Sequence, residues 1–202
     1  MTDRVTSALL LTLASWQEVM GERKIVGRTL LQKVLYFVTT LLGLKIEFVP
    51  YYYGPYSSEV AEELQALVGA GLVNETIERL PALDFGAAVE SRRYGYTLTE
   101  AGRKYVEFVK NSDRELTDKI SSAVARMKWS GEEFLVIKPL SIAAKMHQIL
   151  SLAGKPVTIG EIQKQANDLG WIINEADYEH AVKFLVSLGL VKARESVETG
   201  DT

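Results

Sequence analysis

The feature that most constrains the fold is a helix-to-strand transition that occurs twice. The segments LVGAGLVNET (67–76) and LVSLGLVKARE (185–195) each end a helical pattern at glycine, and a strand-like run follows at once. Glycine ends helices because it adopts left-handed backbone angles at little cost, and β-branched residues favour strands. A helix that packs on two others and leads into a short hairpin is the winged helix-turn-helix arrangement. The sequence therefore predicts a mainly α chain with small β-hairpins (α+β), built from two winged-helix-like units.

Apolar periodicity and capping residues predict the other elements. The first helix, over 6–20, has an amphipathic pattern that is unlike a signal peptide. The second helix, over 28–42, is apolar over more than one stripe and should run through the centre of its unit. Further helices are predicted to begin at Ser57 or Ser58, at Thr99, over 114–129, over 141–152, at the capping box of Thr158 and Glu161, and at Asn174. Strands are predicted over 72–77, 90–98 and 189–194, with an extended segment over 45–53 and a connecting loop over 79–89.

The length of 202 residues fits two packed units, since single domains commonly have about 100–150 residues. We expect an N-terminal winged-helix-like unit over 1–111 and a helical bridge over 112–140. A C-terminal winged-helix-like unit should follow over 141–195, with a disordered tail over 196–202.

The composition leaves few groups for catalysis. The chain has no cysteine, which excludes disulfides, thiolate nucleophiles and cysteine-based zinc sites and favours a cytoplasmic location. Its two histidines, His147 and His180, have no metal-ligand spacing and are expected at the surface or at an edge. The neighbouring carboxylates 62–63 and 132–133 are expected on solvated faces, and no glycine-rich phosphate loop occurs. We predict that the protein is not an enzyme, with no cofactor, no metal site and no membrane span.

The stretch YYYGPYSSE (51–59) holds four of the nine tyrosines of the chain. Gly54 and Pro55 should turn an extended segment into the third helix, and a serine that follows should cap it. Alternation along an extended segment places Tyr51 and Tyr53 on one face and Tyr52 on the other. One face should then be core and the other free. We expect a structural corner first, with three candidate residues for partner binding: Tyr52, Tyr53 and Tyr56.

This stretch belongs to a longer segment, LQKVLYFVTTLLGLKIEFVPYYYGPYSSEVAEELQAL (31–67). The segment resembles the Panacea, or SocA-like antitoxin, domain of phage-associated proteins, in which a helix of the form LxKLxYF precedes a YxYGPY-like corner. The residues that match are Leu31, Lys33, Leu35, Tyr36, Phe37, Tyr51, Tyr53, Gly54, Pro55 and Tyr56. The resemblance extends in element order over 28–105. It implies a regulatory function through protein–protein contact, such as neutralising or tethering a toxin-like partner.

DNA is the alternative partner, because winged helices commonly bind DNA through the third helix and the wing. The third helix of the first unit carries Glu59, Glu62 and Glu63, and the last helix begins with similar acidic residues, so both would be repelled by phosphates. The basic residues available for phosphate contact are Arg23, Lys24, Arg28, Lys33, Arg92 and Arg93. The favoured interpretation is therefore a non-catalytic winged-helix-type regulator that contacts a protein. The second unit would serve for homodimerisation or for another partner.

Overall fold

The computed structural model describes residues 4–21, 24–80, 91–127 and 137–192. Arg23, the carboxylates 132–133, the tail over 196–202 and most of the loop expected over 79–89 lie outside these residues. The helices are α1 (Arg4–Met20), α2 (Arg28–Leu42), α3 (Ser58–Gly69), α4 (Glu100–Ser112), α5 (Arg114–Arg126), α6 (Ile137–Ala153), α7 (Ile159–Asp168) and α8 (Glu175–Ser187). The strands are β1 (Ile25–Val26), β2 (Val73–Leu80) and β3 (Ser91–Leu98). Helices account for 66% of the described residues, which confirms the mainly helical α+β class.

The three strands form one antiparallel sheet in the order β1-β3-β2. Val73 pairs with Leu98 and Leu80 with Ser91, so the predicted return strand is present over nearly its whole predicted length. Strand β1 was not predicted, because two residues are too short to show a pattern, and it pairs with β3 at Tyr96 and Gly95. In chain order, β1 lies between α1 and α2, and β2 and β3 follow α3.

Helix α1 is buried on nearly every face, so the predicted amphipathic character is wrong. Two of its buried polar residues have partners inside the protein: the Ser15 and Ser121 hydroxyls lie 3.0 Å apart, and Gln17 Oε1 accepts a 3.2 Å hydrogen bond from the Leu98 N–H. Helices α2, α3, α4 and α5 all pack against α1. Short polar side chains that bond across helices can occupy a core, and a hydrophobicity pattern does not distinguish them from solvated ones.

The capping predictions hold for most helices. Ser57 is the cap of α3, Thr99 caps α4, and Thr158 with Glu161 forms the complete capping box at α7. Asn174 occupies the N-cap position of α8 without a side-chain hydrogen bond to the helix. A serine or threonine oxygen satisfies an otherwise unpaired N–H of the first turn, which is why these positions were readable from sequence.

Helices α6, α7 and α8 follow as predicted, with α6 packed on both α8 and α2. Helix α6 is longer than its predicted range of 141–152. The strand predicted over 189–194 is absent over 189–192, and residues 193–194 lie outside the described residues. A strand needs a partner to satisfy its backbone, and none of the described strands pairs with this segment.

Candidate partner-binding site

The tyrosine corner, defined as residues 49–57, is closed by backbone hydrogen bonds. Val49 and Tyr56 exchange two bonds of 2.9 Å, and the Gly54 N–H donates to Tyr51 O at 2.9 Å. The bond from Gly54 to Tyr51 closes a tight turn over 51–54. The predicted alternation is therefore wrong: a turn replaces the extended backbone at 51–53, and all three tyrosines project outward, with exposures of 52%, 75% and 68% in chain order.

Gly54 is required by both conformation and space. Its φ of +101° lies in the region that side-chain-bearing residues rarely adopt. A Cβ at this position would lie 3.0 Å from Lys145 Cγ and 3.1 Å from Lys33 Cε. The corner thus sits directly on side chains from α2 and α6, which explains the glycine in structural terms.

Gln32 fixes the end of the corner and the start of α3. Its side-chain Nε2 donates to Ser57 O at 3.0 Å, and its Oε1 accepts from the Ser57 N–H at 3.0 Å. Ser57 in turn accepts a hydrogen bond from the Val60 N–H as the helix cap. Gln32 is buried, so this two-way amide pairing satisfies four polar atoms away from water. Sequence reasoning missed Gln32, although a polar residue inside an apolar helical run is a signal that a buried partner exists.

Lys33 is buried beside the corner with 2% exposure, and its Nζ donates to Pro55 O at 2.6 Å. Among the described residues, no carboxylate lies within ion-pair distance of it. Burial, with a smaller contribution from the charge of Lys145, lowers the pKa of Lys33 to about 7. Desolvation disfavours the ammonium form because nothing nearby compensates its charge.

The outer side of the corner forms a shallow groove with the α7–α8 connection. We call this the outer groove, and it is lined by Pro50, Tyr51, Tyr52, Leu169 and Trp171, with a volume of about 290 Å³. Trp171 is 1% exposed and its indole Nε1 donates to Tyr51 O at 2.8 Å. The tyrosine backbone is therefore held from the C-terminal part of the chain as well. Nothing in the sequence marks Trp171 or Leu169 as neighbours of the tyrosines.

The inner side of the corner faces a larger space between α2 and α3. We call it the inner cavity; it measures about 450 Å³, and its lining includes Arg28, Lys33, Tyr53, Tyr56, Val60 and Leu64. The three tyrosines predicted for partner binding are thus divided. Tyr52 lines the outer groove, whereas Tyr53 and the half-buried Tyr56 line the inner cavity, and Tyr51 contributes to both.

The two histidines have different environments. His180 is exposed, as predicted, but His147 is only 8% exposed, so its predicted place at the surface or an edge is wrong. His147 Nδ1 forms a 2.7 Å hydrogen bond with the Tyr36 hydroxyl. Burial lowers the pKa of His147 and raises that of Tyr36. The pair joins α2 to α6 in the core, where both polar groups need a partner.

The basic residues proposed for DNA do not form one cluster. Lys24 forms an ion pair with Glu78, and Arg28 lies 3.6 Å from a Glu75 carboxylate oxygen and over the Tyr94 ring. Lys33 is buried, so it is not available at the surface for phosphate contact. Arg92 and Arg93 are exposed on β3, and Arg23 lies outside the described residues. Glu59 and Glu62 are exposed on α3, as expected, whereas Glu63 is half-buried and accepts a 2.6 Å hydrogen bond from the Thr6 hydroxyl.

The described ranges contain no group of three or more histidine or acidic side chains placed to hold a metal ion. No helix within 4–21, 24–80, 91–127 or 137–192 has the length and apolarity needed to cross a bilayer.

No family model matches the chain, and no curated protein is significantly similar to it.

Proposed function

We propose that this chain is a non-catalytic, cytoplasmic regulatory protein of winged-helix type that acts by contact with a protein partner. The supporting topology is the order α1, β1, α2, α3, β2, β3 with its antiparallel sheet. Residues 1–111 and 141–195 would form the two units, joined through 112–140. An antitoxin-like role follows from the resemblance of residues 31–67 to the Panacea domain.

The observation that carries the proposal is the exposure of consecutive tyrosines on a fixed backbone. Tyr52 is 75% exposed, yet the carbonyl of its neighbour Tyr51 accepts hydrogen bonds from both Gly54 and Trp171. Tyrosine offers a large amphipathic surface with little conformational entropy to lose, which favours it at protein interfaces. We place the contact at the outer groove, where Leu169 is 40% exposed beside the rings.

The test uses co-expression with the product of an adjacent gene, followed by co-purification and a growth-rescue assay. Tyr52→Ala should weaken binding roughly 30-fold if the ring is a central interface residue. Phe108→Ala is the matched control, because Phe108 is an aromatic residue 61% exposed on α4. Equal binding by Tyr52→Ala and wild type, measured on the same partner, would remove the outer groove from the proposal.

A titration with random duplex DNA distinguishes the proposed function from the alternative, a DNA-binding regulator. Binding through several phosphates weakens steeply with salt, on the order of tenfold or more between low and moderate ionic strength. We expect no such binding, because Lys24 and Arg28 are paired with carboxylates and Lys33 is buried. Strong low-salt binding that Arg92→Ala and Arg93→Ala together abolish would favour the DNA-binding regulator instead.

A further inference from the structure

The inner cavity has the size and composition of a small-molecule site. Its volume of about 450 Å³ lies within the roughly 300–1,000 Å³ that is usual for ligand pockets. Leu31, Val60, Ala61 and Leu64 line it from α2 and α3, and Tyr53 and Tyr56 line it from the corner. Such walls suit an apolar ring or a short hydrocarbon chain.

The charges that line the cavity have one sign. Arg28 and Lys33 both contribute to the lining, and no aspartate or glutamate does. Arg28 is partly neutralised by Glu75, whereas no described carboxylate pairs with Lys33. The first turns of α2 and α3 flank the same space, and helix N-termini add partial positive charge. An anion would therefore be favoured and a cation disfavoured.

Lys33 also has unused hydrogen-bonding capacity. An ammonium group carries three donors, and within the described residues the Lys33 Nζ donates only to Pro55 O. Burying a charged group without a counter-charge is unfavourable. A carboxylate in the cavity would supply both the missing charge and a strong acceptor, and charge-assisted hydrogen bonds are the stronger class.

From this geometry we propose that the inner cavity binds a small apolar monocarboxylate, with its carboxylate against Lys33 Nζ and its apolar part between α3 and the tyrosines. The cavity shares Tyr51 with the outer groove and no other lining residue, and the proposal does not rest on the proposed function. Small size and a single negative charge define the ligand class. A dicarboxylate would place a second charge among the apolar side chains of Val60 and Leu64.

The experiment is isothermal titration calorimetry of the full chain with benzoate, 1-naphthoate and octanoate. The matched primary amides serve as uncharged controls of the same shape. At pH 6.5 at least one carboxylate should bind saturably and at least about tenfold more tightly than its amide, because the charge-assisted bond is lost in the amide. Affinity should fall by up to roughly tenfold per pH unit above 7, since the anion requires the protonated amine and the pKa of Lys33 is about 7.

Two variants locate the site. Lys33→Met should abolish the preference for the acid over the amide, while Lys164→Met, at an exposed lysine of α7, should leave it unchanged. Ala61→Phe places a ring in the cavity from α3 without altering Lys33 and should abolish binding of acid and amide alike. This variant tests the location even where Lys33→Met fails to fold.

Several results would overturn the proposal. They are the absence of saturable binding by all three carboxylates, equal affinity for acid and amide, and unchanged affinity in folded Ala61→Phe. Loss of partner binding in Tyr52→Ala has no bearing on these measurements, so failure here and failure of the proposed function are distinguishable.

Discussion

The two sides of the tyrosine corner differ in how tightly the rest of the fold constrains their residues. On the inner side, Gln32, Lys33 and Gly54 each make contacts that leave little room for substitution. On the outer side, the ring of Tyr52 is mostly in solvent and contributes little burial. The corner therefore places residues that the fold requires next to residues that the fold leaves exposed to solvent. Free aromatic residues on a fixed backbone are the ones available to a partner.

The largest expected effect is on the inner side, from Gly54→Ala. Left-handed strain and the crowding of Lys33 and Lys145 together should lower the free energy of unfolding by about 2–4 kcal/mol. Gly27→Ala is the control, because Gly27 has a similar φ of +98° with open space around it. Urea unfolding followed by circular dichroism gives both values. If Gly54→Ala lowers the free energy of unfolding no more than Gly27→Ala does, contact with Lys33 and Lys145 is unimportant for stability.

A smaller effect with a distinctive pH signature is expected for Lys33→Met. The pKa of Lys33 is about 7 in the folded protein against an ordinary value of 10.5, so between these values the unfolded chain binds more protons. Wild-type stability should therefore rise with pH from about 7 to 9, by at most about 1.4 kcal/mol per unit. The variant lacks this contribution and should show a flatter profile.

The measurement for Lys33 is the urea midpoint at several pH values, with Lys164→Met as the control on an exposed lysine. Taking the difference between wild type and variant isolates Lys33 from other titrating groups. Parallel stability profiles for wild type and Lys33→Met across pH 7–9 would mean that the buried amine keeps its charge.

The smallest expected effect is on the outer side. Tyr52→Ser should change the free energy of unfolding by no more than about 0.5 kcal/mol, as is usual for exposed positions. The Tyr52 ring contacts Tyr51 edge-on at a centroid distance of 4.9 Å, which accounts for part of that value. A loss above about 1 kcal/mol in the same urea assay would make Tyr52 a structural residue and weaken the distinction between the two sides.

Much of the fold was predictable because it depends on local signals. Ser57, Thr99 and Thr158 cap helices as predicted, since a cap involves only neighbouring residues. The prediction for 51–53 was wrong because side-chain alternation assumes an extended backbone, and a local bond from Gly54 to Tyr51 closes a turn there instead. The prediction for 189–192 was wrong because a strand needs a pairing partner, and none of the described strands pairs with this segment. His147 was misplaced for a related reason, since its partner Tyr36 lies 111 positions away in sequence.

The candidate site divides in the same way. The sequence by itself determined that Gly54 and Pro55 break the chain, that a serine starts α3, and that tyrosines gather at this point. Only the tertiary structure decided that Gln32 and Lys33 of α2 hydrogen-bond to the corner and that Trp171 holds Tyr51. It also decided that Tyr52 lines the outer groove and Tyr53 the inner cavity. The physical reason is that backbone angles and caps are set within a few residues, whereas burial, charge compensation and exposure depend on which distant segments meet.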